Sequence, residues 1–222
     1  MAAGYAKKRH YVAFFDFDNT ITTYDILDDI IGRFSKDMRW MGLERKWLAG
    51  RIGSRECLDG QIRGVRISRK DLDRYLAKIR IDPSFKKILR LCDAKKIKYF
   101  ILSDNFGYIL KRILKANGVR GIRVYCNRLK FRGGALVPEF PFLNTECHKC
   151  AHCKKGNLIS RAGRGAMTIY VGDGLSDICP AERADIVLAK GRLEKYFRKK
   201  RLEHVPFKRL GEVYDHLERS VL

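Results

Sequence analysis

Four short runs of apolar residues stand out along the chain, none of them broken by the polar–apolar alternation of a half-exposed strand. They are Tyr11–Phe15, Tyr99–Leu102, Met167–Val171 and Ala184–Ala189. Such unbroken runs suit central strands of a parallel sheet, buried on both faces. The first stops at Asp16, the second at Ser103-Asp104-Asn105 and the third at Gly172-Asp173-Gly174. Apolar residues at helical spacing fill the intervals. Asp82-Pro83 opens one helix, with Asp as N-cap and Pro in the first turn, followed by Phe85, Ile88, Leu89 and Cys92. Ile109, Leu110, Ile113 and Leu114 form another, stopped by Gly118. The last runs from Leu210 through Val213, Tyr214 and Leu217 to Val221. Strand and helix in alternation predict an α/β fold of the doubly wound, Rossmann-like kind.

Residues 22–81 depart from this rhythm and read as helices only. Ile26, Leu27, Ile30, Ile31 and Phe34 make one stripe, and Met38, Met41, Leu43, Trp47 and Leu48 a second, less regular one. Ser68 with Asp71 forms a capping box ahead of Leu72, Tyr75, Leu76 and Ile79. The expected organisation is a core of residues 1–21 and 82–222, with a helical insertion of residues 22–81 over the end of the sheet. Phe131–Val137, with Gly133-Gly134 at its centre, predicts a hairpin.

Composition narrows the picture. With 47 Lys and Arg against 25 Asp and Glu, the formal charge is 47 − 25 = +22. That excess favours anionic partners, including small phosphorylated molecules steered by the field. The basic residues are spread along the chain and densest over 190–209, with neither zinc-finger spacing nor an aromatic strand-binding motif, so a specific nucleic-acid role is disfavoured. No apolar run is long enough to span a bilayer, and Asp16 and Asp18 cut the first run too short for a signal peptide. Seven cysteines, an odd number, suit reduced thiols in the cytoplasm. Cys57, Cys92, Cys126 and Cys179, among apolar or mixed neighbours, are expected to be buried.

The chemistry concentrates at the ends of the predicted strands, where open α/β sheets bind ligands. Asp16 and Asp18 follow the first strand; Asp173 and Asp177 follow the third. Four carboxylates in one crevice require a cation, and all-oxygen ligation suits Mg2+. With the Ser103 hydroxyl and a lysine, the set points to phosphoryl transfer: one carboxylate attacks phosphorus while the second moves protons.

Asp16-Phe17-Asp18-Asn19-Thr20, Ser103 after an apolar strand, a lysine, and Gly172-Asp173-Gly174-Leu175-Ser176-Asp177 together resemble the four ordered motifs of the haloacid dehalogenase superfamily. The helical insertion resembles its C1-type cap, in the subclass that includes phosphoserine phosphatase. The resemblance implies Asp16 as nucleophile, forming an aspartyl-phosphate, and Asp18 as general acid and base. It implies Thr20 as support for the first loop and, with Ser103 and the lysine, part of the phosphate-binding set. Asp16, the carbonyl of Asp18 and Asp173 would hold Mg2+, with Asp177 ligating directly or through water. Lys149, Lys154 and Lys155 all lie in the right interval. Cys150-Ala151-His152-Cys153-Lys154 resembles the cysteine-bearing loop of a subgroup that includes methionine-salvage and phosphoethanolamine/phosphocholine phosphatases, which selects Lys154 and leaves Lys155 as the alternative.

Asp25 stands where the phosphoserine enzyme has a substrate-reading glutamate, and also where a helix N-terminus attracts an acid. Cys147, Cys150 and Cys153 offer thiolates to Zn2+ but do not complete a tetrahedral site, and a packing role for the loop is the alternative. Arg39, Arg45, Arg51 and Arg55 are expected on exposed helix faces. The implied activity is a cytoplasmic, Mg2+-dependent phosphomonoesterase acting on a small phosphorylated metabolite, as monomer or homodimer. The alternatives are a phosphotransferase using the same aspartyl-phosphate, and a basic nucleic-acid-associated protein that keeps the fold.

Overall fold

The computed structural model describes residues 10–144 and 149–220. The central strand, β1 (Tyr11–Phe15), lies parallel to β2 (Lys98–Phe106) on one side and to β5 (Met167–Gly172) on the other. Its side chains alternate between faces. Ala13 and Phe15 join one hydrophobic cluster, Val12 and Phe14 the other. This double burial explains why the run carries no polar position.

Beyond β2 lie β3 (Arg123–Arg132) and β4 (Ala135–Glu139); beyond β5 lie β6 (Ile186–Ala189) and β7 (Val205–Pro206). The order across the seven-stranded sheet is β4-β3-β2-β1-β5-β6-β7, parallel throughout except for the β3–β4 hairpin. The two residues of that hairpin turn, Gly133 and Gly134, have φ of 52° and 77°, the left-handed pair that a tight turn between twisted strands needs.

Two strand expectations change. β2 does not stop at Ser103 but continues to Phe106 through a register shift between Ser103 and Phe106, an irregularity of the kind that re-aims side chains beside active sites. β6 begins at Ile186 rather than Ala184.

Four helices occupy residues 22–81: α1 (Ile26–Phe34), α2 (Arg39–Leu48), α3 (Ser54–Gly64) and α4 (Arg69–Leu76). The chain leaves and re-enters the sheet region at one place, where Thr22 bridges Ile81 and the Asp82 N–H donates to the Ile21 carbonyl at 2.9 Å. Ile30, Ile62 and Leu72 of these helices share one continuous cluster with Phe15 and Ile101 of the sheet. Further ties run from the Ser54 N–H to the Lys149 carbonyl at 2.7 Å and through an Arg66–Ala135 bridge to the hairpin. By contrast, α2 has no buried residue.

The remaining helices flank the sheet: α5 (Ser84–Ala94), α6 (Gly107–Ala116), α7 (Lys154–Ala162), α8 (Ile178–Ala181), α9 (Gly191–Lys200) and α10 (Leu210–Ser220). The α5 start moves by one residue: Pro83 is the N-cap, and Asp82 accepts from the Ser84 N–H at 2.8 Å. Cys57, Cys92 and Cys126 are buried thiols, whereas Cys179 is exposed because it lies on the short α8 at the surface. Val221 and Cys147 lie outside the described residues. No helix among the described residues is long and apolar enough to cross a membrane.

Candidate active site

Parallel register levels the strand ends: Phe15 pairs with Ile101 on one side and with Val171 on the other. The residues that follow therefore meet at one edge of the sheet. There Asp16, Asp18, Asn19, Ser103, Asp104, Asn105, Lys154 and Asp173 line a cavity of about 360 Å3.

Lys154 is the pivot. As the first residue of α7 it is 3% exposed, and its Nζ donates to Asp16 Oδ1 at 2.6 Å, Asp177 Oδ1 at 2.7 Å and Ser176 Oγ at 3.1 Å. Burial alone would strip its proton, but the Asp16 and Asp177 charges outweigh that, and its pKa is raised well above the ordinary lysine value. Asp16 is raised as well, first by burial and then by the Asp177 charge, against the pull of Lys154.

Asp177 is completely buried and four groups donate to it. Lys154 and the Tyr170 hydroxyl (2.7 Å) reach Oδ1; the N–H groups of Asp173 (3.0 Å) and Gly174 (2.9 Å) reach Oδ2. A carboxylate has about four acceptor positions, so these bonds use the capacity of Asp177 to fix Lys154 and the Asp173 loop. Asp173 accepts from Asn19 Nδ2 at 2.7 Å and from the Thr20 hydroxyl at 3.1 Å. Asn19 reaches it from a backbone φ of 51°, a left-handed conformation that Asn tolerates. Asp16, Asp173 and Asp177 each bring an oxygen within 4.8 Å of the others, the only such grouping of His, Cys, Asp and Glu among the described residues. Desolvation leads the rise of the Asp173 pKa, with the Asp177 charge next. Crowded, desolvated carboxylates with only oxygen donors fit a hard divalent cation.

Asp18 accepts two bonds from Asn105 Nδ2, at 2.9 and 3.1 Å, and one at 3.0 Å from the N–H of Ile26, the first residue of α1. Burial, then the Asp25 charge, raises its pKa well above the usual carboxylate range. Ser103 is 1% exposed; its Oγ accepts from the Asn105 N–H at 3.0 Å, which leaves the hydroxyl proton to donate elsewhere. Asp25 is the N-cap of α1, accepting from the Asp28 N–H at 2.9 Å, and it also lines the cavity.

Lys149 and Lys155 are not among the cavity residues, nor are Arg39, Arg45, Arg51 and Arg55. Of the proposed thiolate group, Cys147 is outside the described residues and the Cys153 sulfur caps α7, accepting from the Gly156 N–H at 3.3 Å. The sequence reading assigned no role to Asn19, Asn105 or Tyr170. The Ser103-Asp104-Asn105 run carried a signal for one of them; Tyr170 sits inside an apolar strand and carried none.

Comparison with known proteins adds independent findings. The pattern of the family described as haloacid dehalogenase-like hydrolase matches residues 13–182. A 2-hydroxy-3-keto-5-methylthiopentenyl-1-phosphate phosphatase of Geobacillus thermodenitrificans is 27% identical over 216 residues, covering 96% of this chain and 97% of its own. A protein of the same name from Microcystis aeruginosa is 24% identical over 211 residues, covering 93% and 97%. Among solved structures, a phosphoserine phosphatase with a phospho-aspartyl intermediate analogue superposes with a TM-score of 0.72 at 18% identity, covering 94% of this chain and 99% of that one. The phosphoserine phosphatase of T. onnurineus gives 0.68 at 21% identity, covering 98% and 99%. With a matched pattern over most of its length and the strand-edge carboxylates in place, the chain belongs to the haloacid dehalogenase-like hydrolases and is a phosphatase of that family.

Proposed function

We propose that the protein hydrolyses a small phosphomonoester through a covalent phosphate on Asp16. The observation that carries this reading is the Lys154–Asp16 contact of 2.6 Å inside a buried cluster of carboxylates. Lys154 pulls against the burial and the Asp177 charge that raise Asp16, favouring the carboxylate form that attacks phosphorus. As the P–O bond to the leaving group breaks, Asp18 delivers the proton that group needs. Burial and the Asp25 charge raise its pKa, which favours a proton-carrying role, and Asn105 and the Ile26 N–H fix its direction. The same carboxylate then takes a proton from the water that opens the acyl phosphate, releasing inorganic phosphate and restoring Asp16. Ser103 and Lys154 donate to the phosphoryl oxygens, and Asp177 with Tyr170 holds Lys154 in line. Mg2+ would be held by Asp16, Asp173 and the Asp18 carbonyl, with Asp177 close by, and would supply positive charge against the phosphoryl oxygens.

The helices of residues 22–81 act as a cap whose wall faces the leaving group and keeps bulk water and large esters out. The substrate is accordingly a small metabolite. The curated relatives are named for a methylthiopentenyl phosphate, and an ester of that size fits a cavity of about 360 Å3. Buried free thiols such as Cys57 and Cys92 suit work in the reducing cytoplasm.

The test is phosphate release from a panel of small phosphomonoesters with Mg2+. Asp16→Asn is expected to lower the rate by about a thousandfold or more, and chelation to abolish it reversibly. Release that survives in the folded Asp16→Asn protein would remove the covalent mechanism.

A further inference from the structure

A second cavity, of about 430 Å3, is bounded by α2, α3 and the turn that precedes α2. It shares Gln61 with the active cavity and no other lining residue. The buried Gln61 Nε2 donates to Glu44 Oε2 at 3.0 Å, on the active side, and to the Trp40 carbonyl at 3.4 Å, on this one. Gly42, Gly60 and Gly64 present backbone rather than side chain to the second cavity. At Gly60 there is no room for more, since a Cβ would lie 2.6 Å from Leu43 Cδ1.

Four cations and one acid line this space: Lys36, Arg39, Lys46 and Arg63 against Asp37. Asp37 is taken up by Arg39, whose Nε and Nη2 donate to Oδ2 at 2.9 and 2.7 Å. Arg63 is paired with Asp59 at 2.8 Å. Lys36 and Lys46 have no ion-pair partner within 4.0 Å among the described residues. A second, independent observation concerns two neutral groups of the same wall. Trp40 Nε1 and Ser35 Oγ are shut off from water and have no hydrogen-bond partner. Of the five side-chain atoms in that condition among the described residues, two therefore belong to this one cavity. An indole N–H can only donate, and a hydroxyl has a proton to give. Both want an acceptor. Two unpaired ammonium groups and two unpartnered donors call for the same thing, a group rich in acceptor oxygens and negative in charge.

We propose that this cavity binds a small molecule through an oxyanion group, phosphate or carboxylate, and that the bound anion clamps α2 to the end of α3. The turn is already tied to that end: the Lys36 N–H donates to the Gly64 carbonyl at 3.1 Å, and Ser35 bridges Val65. An anion held by Ser35 and Lys36 on the anchored side and by Trp40 and Lys46 on α2 spans the two. Lys36 and Lys46 supply charge-assisted bonds, and the indole and hydroxyl protons orient the oxygens. Because both neutral donors are shielded from water, an oxygen reaches them only as α2 yields, and α2 has no buried residue to hold it. The site needs no turnover and is independent of the phosphatase reading.

The chain has two tryptophans, so in Trp47→Phe the indole emission belongs to Trp40 alone. That variant is titrated with inorganic phosphate and with succinate, each replacing NaCl at constant ionic strength so that screening is unchanged. A saturable change is expected, with a Kd of about a millimolar or below, and the tighter probe names the oxyanion. Lys36→Gln and Lys46→Gln, both at exposed positions, are expected to weaken it by about fivefold or more. Lys199→Gln on α9, the same loss of charge elsewhere, should leave it unchanged. Phosphate seated in the active cavity instead would be indifferent to Lys36 and Lys46. In the wild-type protein, hydrogen–deuterium exchange of the α2 amides should slow severalfold with the tighter probe, and should not slow in Lys46→Gln. An emission change linear in anion, or one identical in all three lysine variants, overturns the site. Saturable binding that leaves α2 exchange unaltered overturns the clamp.

Discussion

Gly172 stands between the strand that carries Tyr170 and the loop that carries Asp173. A Cβ there would lie 2.7 Å from Asp177 Oδ2 and 2.9 Å from a ring carbon of Tyr170. Neither neighbour is free to give, because each is bonded to the other and Asp177 also holds Lys154. Gly172→Ala is therefore expected to cost about 1–3 kcal/mol of stability, read from urea unfolding, together with a large loss of phosphate release. His152 provides a different residue-scale test. It is 1% exposed, and burial, with the Lys154 charge behind it, lowers its pKa to about 3. The unfolded chain takes up this proton near 6.5 and the folded chain only near 3. Stability is therefore whole above about pH 6.5 and drains away as pH falls toward 3, by about 1.4 kcal/mol per unit. Unfolding free energies at pH 7 and pH 5 are expected to differ by about 2 kcal/mol more in the wild type than in His152→Asn. Equal differences would mean that the folded imidazole protonates normally.

Which site residues could be read in advance follows from what fixes them. Asp16, Asp18 and Asp173 follow apolar runs, so chain-local pattern alone brings them to the sheet edge. Tyr170 looks like one more core aromatic, and only the sheet and the turn to Asp177 give its hydroxyl a partner 2.7 Å away. Glu44 belongs to a helix with no buried residue, and nothing near it in sequence says that its charge reaches Asp25.

At the scale of elements, local chemistry was read well where it is self-contained. Ser68 caps α4, its Oγ accepting from the Asp71 N–H at 3.1 Å as the capping box predicts. Ser68→Ala should cost about 1 kcal/mol, visible as a lower urea midpoint; an unchanged midpoint would mean that packing alone sets the start of α4. The first half of β3 was missed because Arg123, Arg128 and Lys130 interrupt its apolar positions, as a strand near the sheet margin permits. The two-residue β7 is too short to leave a pattern. The start of α7 at Lys154 is set by the Cys153 cap, which brings the lysine onto the first turn.

For the whole molecule the dominant quantity is charge. Folding gathers a net +22 into one compact body, and the repulsion this creates is relieved by salt. The melting temperature should climb by several degrees as NaCl is raised from about 20 to 300 mM; a flat or falling response would show that the few acidic residues already neutralise their surroundings.

The tie points of the helical insertion bear on how the cavity opens. With Thr22 bridged to Ile81, Ser54 bonded to Lys149 and Arg66 paired with Ala135, the insertion cannot swing as a slab. α2, which has no buried residue and is held to α3 through Trp47–Ser54 and Glu44–Gln61 side-chain bonds, is the least anchored of the four helices. In hydrogen–deuterium exchange its amides should open first and alone, ahead of α1, α3 and α4, and a bound phosphonate should slow them selectively. The traffic of ester and product through the site then has the tempo of one helix fraying, rather than of a domain closing.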